Sequence, residues 1–204
     1  MSILGGKRLR ELLRSRDPKT RLVVTPLLDV DAQLDQASGA LDLRLGSNFI
    51  LLERAGMAHL DPKQRDFGEA LASSAKRLHV PFGGALVLHP KQFVLGSTLE
   101  YFRVPYNLAG YVLSRSSWGR FGLVVATAAA VHPGYFGVLC LELSNIGEVP
   151  VSLYAGVSIA QIFFHEVAGD PELLPAPSTY LGSTEPELPR IDVRAELLKL
   201  EPTA

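Results

Sequence analysis

The sequence of 204 residues contains only one cysteine, Cys140. A single thiol excludes an internal disulfide bond and every metal site that needs two or more cysteines. It is also compatible with the reducing cytoplasm, where we expect the protein to be located. The five histidines show neither HxH nor HxxxH spacing. The sequence therefore predicts no zinc site and no metal ligands from protein side chains.

An excess of positive charge is also missing, because 20 lysine and arginine residues are balanced by 21 aspartate and glutamate residues. This balance argues against a nonspecific nucleic-acid-binding protein, which normally needs a basic surface. The longest nearly apolar run, residues 121–131, is shorter than the roughly 20 residues that cross a bilayer, so no membrane partner is expected. The apolar fraction of 47% instead predicts a buried subunit interface.

The sequence pattern is that of a mainly β protein. Short apolar segments are separated by Gly, Pro, Asn and Ser, which favours a barrel or sandwich over alternating strands and helices. Amphipathic spacing predicts a helix over residues 6–16 and a shorter one over 29–35. The predicted strands are 41–45, 48–53, 85–88, 92–98, 110–113, 138–144, 151–154 and 157–164.

The length predicts one domain over residues 1–204, with its core at about 22–168. Prolines are concentrated between residues 169 and 189, together with Ser, Thr and Gly. We therefore predict that residues 169–204 form a tail or a lid rather than part of the core.

Glu142 occupies the middle of the strand predicted over residues 138–144. With a period of two, the three leucines of this segment share one face, which we assign to the core, and Glu142 lies on the other face. That other face could be a solvated surface or the wall of a pocket. In a pocket with a neighbouring arginine, Glu142 could stay ionised and accept a proton.

Arg115, Ser116 and Ser117 follow a predicted strand and come shortly before Gly119. Their backbone amides, hydroxyls and guanidinium group could form an anion-binding turn. The alternative is a serine-capped helical turn with arginines on the surface. Gln161 interrupts an apolar strand, where its amide could contact a ligand or satisfy a backbone group.

His132 precedes a Pro-Gly turn. A lone turn histidine is either solvated or, because it titrates near neutrality, a candidate for proton transfer. Asp42 and Arg44 lie on the polar face of their predicted strand, where we expect a solvated ion pair.

Taken together, the motifs of this chain resemble those of the dCTP deaminase family, within the trimeric dUTPase-like superfamily. They occur in the same order and with nearly the same spacing, and the resemblance covers about residues 22–168. The motifs are residues 41–46 (LDLRLG), 88–90 (LHP), 93–100 (FVLGSTLE), 115–123 (RSSWGRFGL), 127–128 (TA), 133–137 (PGYFG), 141–145 (LELSN) and 156–161 (GVSIAQ).

The resemblance implies a distorted β-barrel of the dUTPase-like, jelly-roll type that assembles as a homotrimer with nucleotide sites between subunits. It also implies zinc-independent hydrolytic deamination of dCTP to dUTP and ammonia, with Mg²⁺ carried by the triphosphate. The positions that match the family's catalytic group are Ser116, Arg120 and Glu142. Glu142 would activate the water, while Ser116 and Arg120 would orient it and stabilise developing charge. The positions that would bind the nucleotide and its phosphates are Arg115, Ser117, Thr127, Ala128, His132, Tyr135, Gln161, Tyr180 and Gly182.

The chain departs from the family pattern in the Pro-Gly turn and in the tail. His132 stands where an aspartate is usual, and Thr179 and Ser183 stand where lysine and glutamine are usual. In dUTPases that aspartate prepares the hydrolytic water. These departures favour one alternative to a deaminase, a noncatalytic or regulatory trimeric nucleotide-binding protein. A dUTP diphosphohydrolase is the other alternative, and the replacement of that aspartate by His132 argues against it.

Overall fold

The computed structural model describes residues 2–53, 59–126, 130–168 and 179–191, with single positions at 193 and 197. Within these ranges the chain is mainly β, and its strands pair antiparallel. The helices are α1 (Gly6–Arg14), α2 (Val30–Gln33), α3 (Phe67–Ser73) and α4 (Ser116–Gly119). The strands are β1 (Val23–Thr25), β2 (Leu41–Arg44), β3 (Asn48–Leu52), β4 (Ala75–His79), β5 (Ala85–Leu88), β6 (Phe93–Arg103), β7 (Leu108–Ser114), β8 (Leu123–Ala126), β9 (Ala130–Val131), β10 (Phe136–Asn145), β11 (Val151–Tyr154) and β12 (Ser158–Glu166).

The strands form three sheets around a shared apolar core. One sheet has the order β4-β3-β6-β10-β8, with β1 paired to the far end of β6, and a second has the order β2-β12-β7-β9. The third contains β11 and β5. Side chains from all three sheets belong to one buried cluster, which includes Leu43, Leu141, Leu153 and Ile162. The predicted mainly β fold class is confirmed.

The long strand β10 lies between β6 and β8 in the first sheet. Leu141 and Leu143 are completely buried, so the face that the sequence assigns to the core does point into it. Glu142 lies opposite Leu95 of β6 and Ala126 of β8, on the other face. The pairing on both sides therefore fixes the direction of the Glu142 side chain.

Most predicted elements are present, with shifted ends. The predicted helix over residues 6–16 is α1, which ends at Arg14, and the one over 29–35 is only the four residues of α2. The sequence patterns did not reveal α3, β1, β4, β8 or β9. Both β8 and β9 fall in the apolar run at residues 121–131. Because this run is uniformly hydrophobic, its sequence contains no alternation from which the ends of a strand could be predicted.

A buried ion pair attaches β2 to β6. The Glu100 side chain is completely buried, and its Oε1 accepts a hydrogen bond from Arg44 Nε at 2.7 Å. Its Oε2 accepts the Arg44 backbone N–H at 2.9 Å, and Gln33 Nε2 donates to Oε1 at 3.2 Å. Arg44 is therefore paired with Glu100 and not, as expected, with Asp42. Among the described residues, no helix is long and apolar enough to cross a membrane.

Candidate functional site

A cavity of about 540 Å³ opens beside the middle of β10. Its walls come from β6, β7, β9 and β10, from the turn before β10, and from the part of the tail at residues 179–189. Three predicted nucleotide-site residues, His132, Tyr135 and Tyr180, line it together with Glu142. A volume of this size is in the range that accommodates small organic ligands.

Glu142 is the central ionisable group of the cavity wall. Its side chain is half-buried, and burial raises the pKa of this carboxyl above its usual range. Within the described part of the chain it forms neither an ion pair nor a side-chain hydrogen bond. A carboxyl with a raised pKa can exchange protons closer to neutrality than an exposed glutamate can.

The turn before β10 brings His132 and Tyr135 to the cavity. Tyr135 N–H donates to the His132 carbonyl at 3.1 Å, which closes the turn. Gly134 has a φ of +77°, and an added Cβ would collide with the Tyr106 ring, so the turn requires glycine. The Tyr135 hydroxyl donates to the Val138 carbonyl at 2.6 Å, and burial raises the pKa of the phenol. Because the Tyr135 hydroxyl already donates its proton to Val138, Tyr135 contributes mainly its aromatic ring to the cavity wall.

The tail lies across the start of β10. Gly182 N–H donates to the Phe136 carbonyl and Val138 N–H donates to the Ser183 carbonyl, both at 2.8 Å. These bonds bring Tyr180 to the cavity wall, whereas Gly182 supports the tail and does not line the cavity.

Carboxylates give the cavity an acidic character. Glu185 and Glu187 of the tail line it together with Glu142, and no lysine or arginine is among the described lining residues. Glu187 accepts hydrogen bonds from Ser183 and Arg190, and Glu185 forms an ion pair with Arg77 at 3.3 Å, so part of the charge of both tail glutamates is compensated. Sequence reasoning missed both tail glutamates, because only the folded path of the tail brings them near Glu142.

A second polar cluster lies on the β2-β12-β7 sheet, outside the cavity. Arg115 Nη1 donates to Asp42 Oδ2 at 2.6 Å, and Gln161 Nε2 donates to Asp42 Oδ1 at 3.0 Å. The structure thus brings together Arg115 and Gln161, two predicted nucleotide-binding residues. It also shows that Asp42 pairs with Arg115 and not, as expected, with Arg44.

Helix α4 extends this cluster. Arg115 is its N-cap, and Ser116, Ser117 and Arg120 are exposed on the short helix or directly after it. Trp118 Nε1 donates to the Ser158 carbonyl at 2.9 Å and so attaches the helix to β12. The segment is therefore a helical turn, which was one of the two alternatives, but it lacks the expected serine cap. The side chains of Ser116, Ser117 and Arg120 are exposed and can contact a ligand.

The predicted site residues thus form two groups. Glu142, His132, Tyr135 and Tyr180 meet at the cavity, while the predicted residues of α4, with Arg115 and Gln161, are absent from its described lining. Thr127 and Ala128 lie outside the described residues. Within the described ranges, no three His, Cys, Asp or Glu side chains are grouped so that they could hold a metal ion.

Comparison with known proteins relates this chain to cytosine-nucleotide deaminases. Residues 3–167 match the family model described as dCTP deaminase-like. The chain is 37% identical to a dUMP-forming dCTP deaminase of Methanobrevibacter smithii, over 98% of this chain and 100% of that protein. It is 42% identical to a dCTP deaminase of Halorubrum lacusprofundi, over 72% of this chain and 70% of that protein. The structure of 2′-deoxycytidine 5′-triphosphate deaminase from Agrobacterium tumefaciens matches at a TM-score of 0.58 and 26% identity, over 79% of this chain and 46% of that one.

The contact between the tail and β10 can be tested at Gly137. This glycine has a φ of +139°, and an added Cβ would lie 3.1 Å from the Ser183 carbonyl oxygen. Gly137→Ala should therefore loosen the tail, with a cost of about 1–3 kcal/mol for the strained backbone. Hydrogen exchange of the Gly182 and Val138 amides should become faster. In the control, Gly68→Ala in α3, the added Cβ meets no atom within 4 Å, and exchange at both amides should be unchanged. If both amides exchange at the same rate in Gly137→Ala as in the unmodified protein, the contact between the tail and β10 is contradicted.

Proposed function

Because the chain belongs to the dCTP deaminase-like family, we propose that it is a hydrolase that deaminates dCTP and releases ammonia. One observation carries the proposal beyond the family: Glu142 lies half-buried in the wall of a cavity large enough for a nucleoside, and burial raises the pKa of its carboxyl. The same position was predicted from the family motif as the catalytic base.

The reaction needs one group that first accepts and then returns a proton. Water adds to C4 of the cytosine ring, the bond from C4 to the exocyclic nitrogen breaks, and ammonia leaves as the C4 carbonyl forms. Glu142 takes one proton from the attacking water and passes it to N3 of the ring, and it then transfers the hydroxyl proton of the addition product to the amine, which leaves as ammonia. Ser116 and Arg120 orient the water and stabilise the charge that develops in the transition state.

We further propose that the complete site contains residues of two subunits of a homotrimer. The cavity lining has three glutamates and no described cation, so it suits the base and sugar better than a triphosphate. Arg115, Arg120 and the serines of α4, outside the cavity, offer the donors that phosphates need. Two neighbouring subunits would bring the two groups together, as is possible in a closed symmetric oligomer.

Mg²⁺ would arrive bound to the triphosphate and keep mainly phosphate and water ligands. The location would be the cytoplasm, which a single cysteine permits. Thr127 and Ala128 would contact the nucleotide, and residues 169–204 would form a tail or a lid within a single domain.

The product is a separate question, because one similar protein is named as dUMP-forming and another simply as a dCTP deaminase. We expect dUTP, since His132 occupies the turn where dUTPases have the aspartate that prepares their hydrolytic water. The Methanobrevibacter protein, similar over its full length, favours the second candidate, deamination followed by release of pyrophosphate.

A single assay tests the function and the product together. Purified protein with dCTP and Mg²⁺ should release ammonia, and pyrophosphate should stay at background. Ammonia and pyrophosphate in equal amounts would instead assign dUMP as the product. Pyrophosphate from dUTP without ammonia from dCTP would support a diphosphohydrolase. Nucleotide binding without any turnover would support the noncatalytic alternative and contradict our proposal.

Glu142→Gln should lower kcat by at least about 100-fold, because the amide cannot accept the proton of the water. In the unmodified protein, kcat/KM should rise with pH as the free Glu142 ionises. This acid limb should lie above the ordinary glutamate pKa of about 4.3, since burial raises the pKa of this carboxyl. The exposed Glu148 provides the control, as Glu148→Gln should leave both the rate and the acid limb unchanged. A Glu142 variant with full activity would show that another group is the base.

Coexpression of two inactive variants tests whether the site is shared. When Glu142→Gln and Arg120→Ala chains assemble at random in equal amounts, about a quarter of intersubunit sites should contain both native residues. Deaminase activity should return to about that fraction. Glu142→Gln coexpressed with the Glu142→Gln/Arg120→Ala double variant is the control and should stay inactive. If the first mixture also stays inactive while hetero-oligomers form, both residues act within one chain.

A further inference from the structure

We propose that Asp42 is a positioning residue for nucleotide binding, and that it aims Arg115 and Gln161 at different chemical groups of the ligand. The inference rests on the proposed function, since it assumes that these two residues contact the nucleotide. It goes further because it assigns a role to a carboxylate that would not itself touch the substrate.

The geometry is that of one acceptor shared by two donors. Asp42 Oδ2 accepts from Arg115 Nη1 at 2.6 Å, and Asp42 Oδ1 accepts from Gln161 Nε2 at 3.0 Å. Asp42 and Gln161 are direct partners across β2 and β12, and Arg115 follows β7, the other neighbour of β12. One side chain therefore holds a donor on β12 and a donor directly after β7 in fixed positions.

The chemistry of the carboxylate decides which end of the Gln161 amide faces outward. An ionised carboxylate only accepts hydrogen bonds, so the NH₂ end of the amide must face Asp42. The carbonyl Oε1 of Gln161 is then left to accept a hydrogen bond from the ligand. An acceptor repels phosphate oxygens, so Gln161 is suited to a hydroxyl of the sugar or to a water bound to the ligand's metal ion.

Arg115 is positioned to donate hydrogen bonds to the ligand, whereas Gln161 is positioned to accept one. Its Nη1 is used by Asp42, and within the described structure its Nε and Nη2 have no hydrogen-bond partner, so they can donate to a phosphate. The Asp42 side chain is only 18% exposed, compared with 36% for Arg115. The pair is consequently less screened by water than an ordinary surface ion pair, and the guanidinium is held in a defined direction.

The strand that carries Asp42 is itself fixed by a second ion pair. Arg44, two residues later, is bound through both its side chain and its backbone N–H to the fully buried Glu100. Arg44 Nη2 also donates to the Pro26 carbonyl at 2.7 Å. Asp42 therefore has a rigid support, which a positioning role requires.

Asp42→Asn is the main test. It keeps the size of the side chain but removes the charge, so Arg115 should lose its fixed direction. The side-chain amide of Gln161 should then be able to flip, which exchanges the positions of its oxygen and nitrogen. We expect KM and Kd for dCTP to rise about tenfold, while kcat changes less than about twofold because Asp42 contacts none of Glu142, Ser116 and Arg120, the groups proposed to act on the water. The Kd for tripolyphosphate should rise by a similar factor.

Asp35→Asn is the matched control. Asp35 is also a hydrogen-bonded carboxylate, accepting from Ala37 N–H and the Ser38 hydroxyl, and it lies outside both polar clusters. The substitution changes the net charge equally, so dCTP affinity should stay as in the unmodified protein. Asp42→Glu provides a second variant if Asn at position 42 prevents folding, since it keeps the charge but displaces the two donors and should also weaken dCTP binding.

A double variant separates positioning from a merely structural role. In an Arg115→Gln background, Asp42→Asn should weaken tripolyphosphate binding by less than about twofold more, because the group that it positions is already gone. A structural role would instead give additive losses of affinity in the double variant, together with a lower Tm and a lower kcat. Folded Asp42→Asn protein that binds dCTP and tripolyphosphate as tightly as the control would overturn the proposal.

Failure of the proposed function can be told apart from failure of this inference. Tripolyphosphate binding is measured by calorimetry and needs no turnover. If the unmodified protein does not deaminate dCTP but Asp42→Asn still weakens tripolyphosphate binding, the function is wrong and the positioning role stands. If deamination is robust and the affinity does not depend on Asp42, only the inference fails.

Discussion

The two-sided pairing of β10 is the constraint on which the rest of the candidate site depends. Because β6 and β8 fix its register, a shift of one residue would turn Leu141 and Leu143 out of the core and Glu142 into it. Burial of the leucines therefore stabilises the fold and aims the carboxylate at the same time. The turn before β10 and the tail across its start form further walls of the cavity around the Glu142 side chain, whose direction the strand pairing fixes.

The sequence predicted those parts of the structure that have a local cause. Strand alternation identified the core face of β10, and family motifs identified Glu142 and Arg115 before any contact was known. It did not predict that Asp42 pairs with Arg115, because that contact joins residues 73 positions apart and competes with the nearer Arg44. Nor did it predict the tail glutamates, whose position depends on backbone bonds to β10 rather than on any pattern of their own.

Within one chain, the candidate residues lie on two separate surfaces. The cavity contains the Glu142 carboxyl in an acidic, partly apolar setting, where burial favours its protonated form. The cluster on the β2-β12-β7 sheet contains guanidinium, hydroxyl and amide groups, which can donate hydrogen bonds to an anion. Because Arg115 and Arg120 are absent from the described cavity lining, neither guanidinium counteracts the burial that raises the pKa of the Glu142 carboxyl in the same chain.

The carboxylates of the tail affect which form of a nucleotide would meet least repulsion at the cavity. Glu185 and Glu187 belong to the segment that lines the cavity, and Arg77 and Arg190 compensate only part of their charge. A bare triphosphate beside this segment would meet like charge. A divalent cation on the phosphates would reduce that repulsion, so the tail would favour a nucleotide that carries its cation over one that does not.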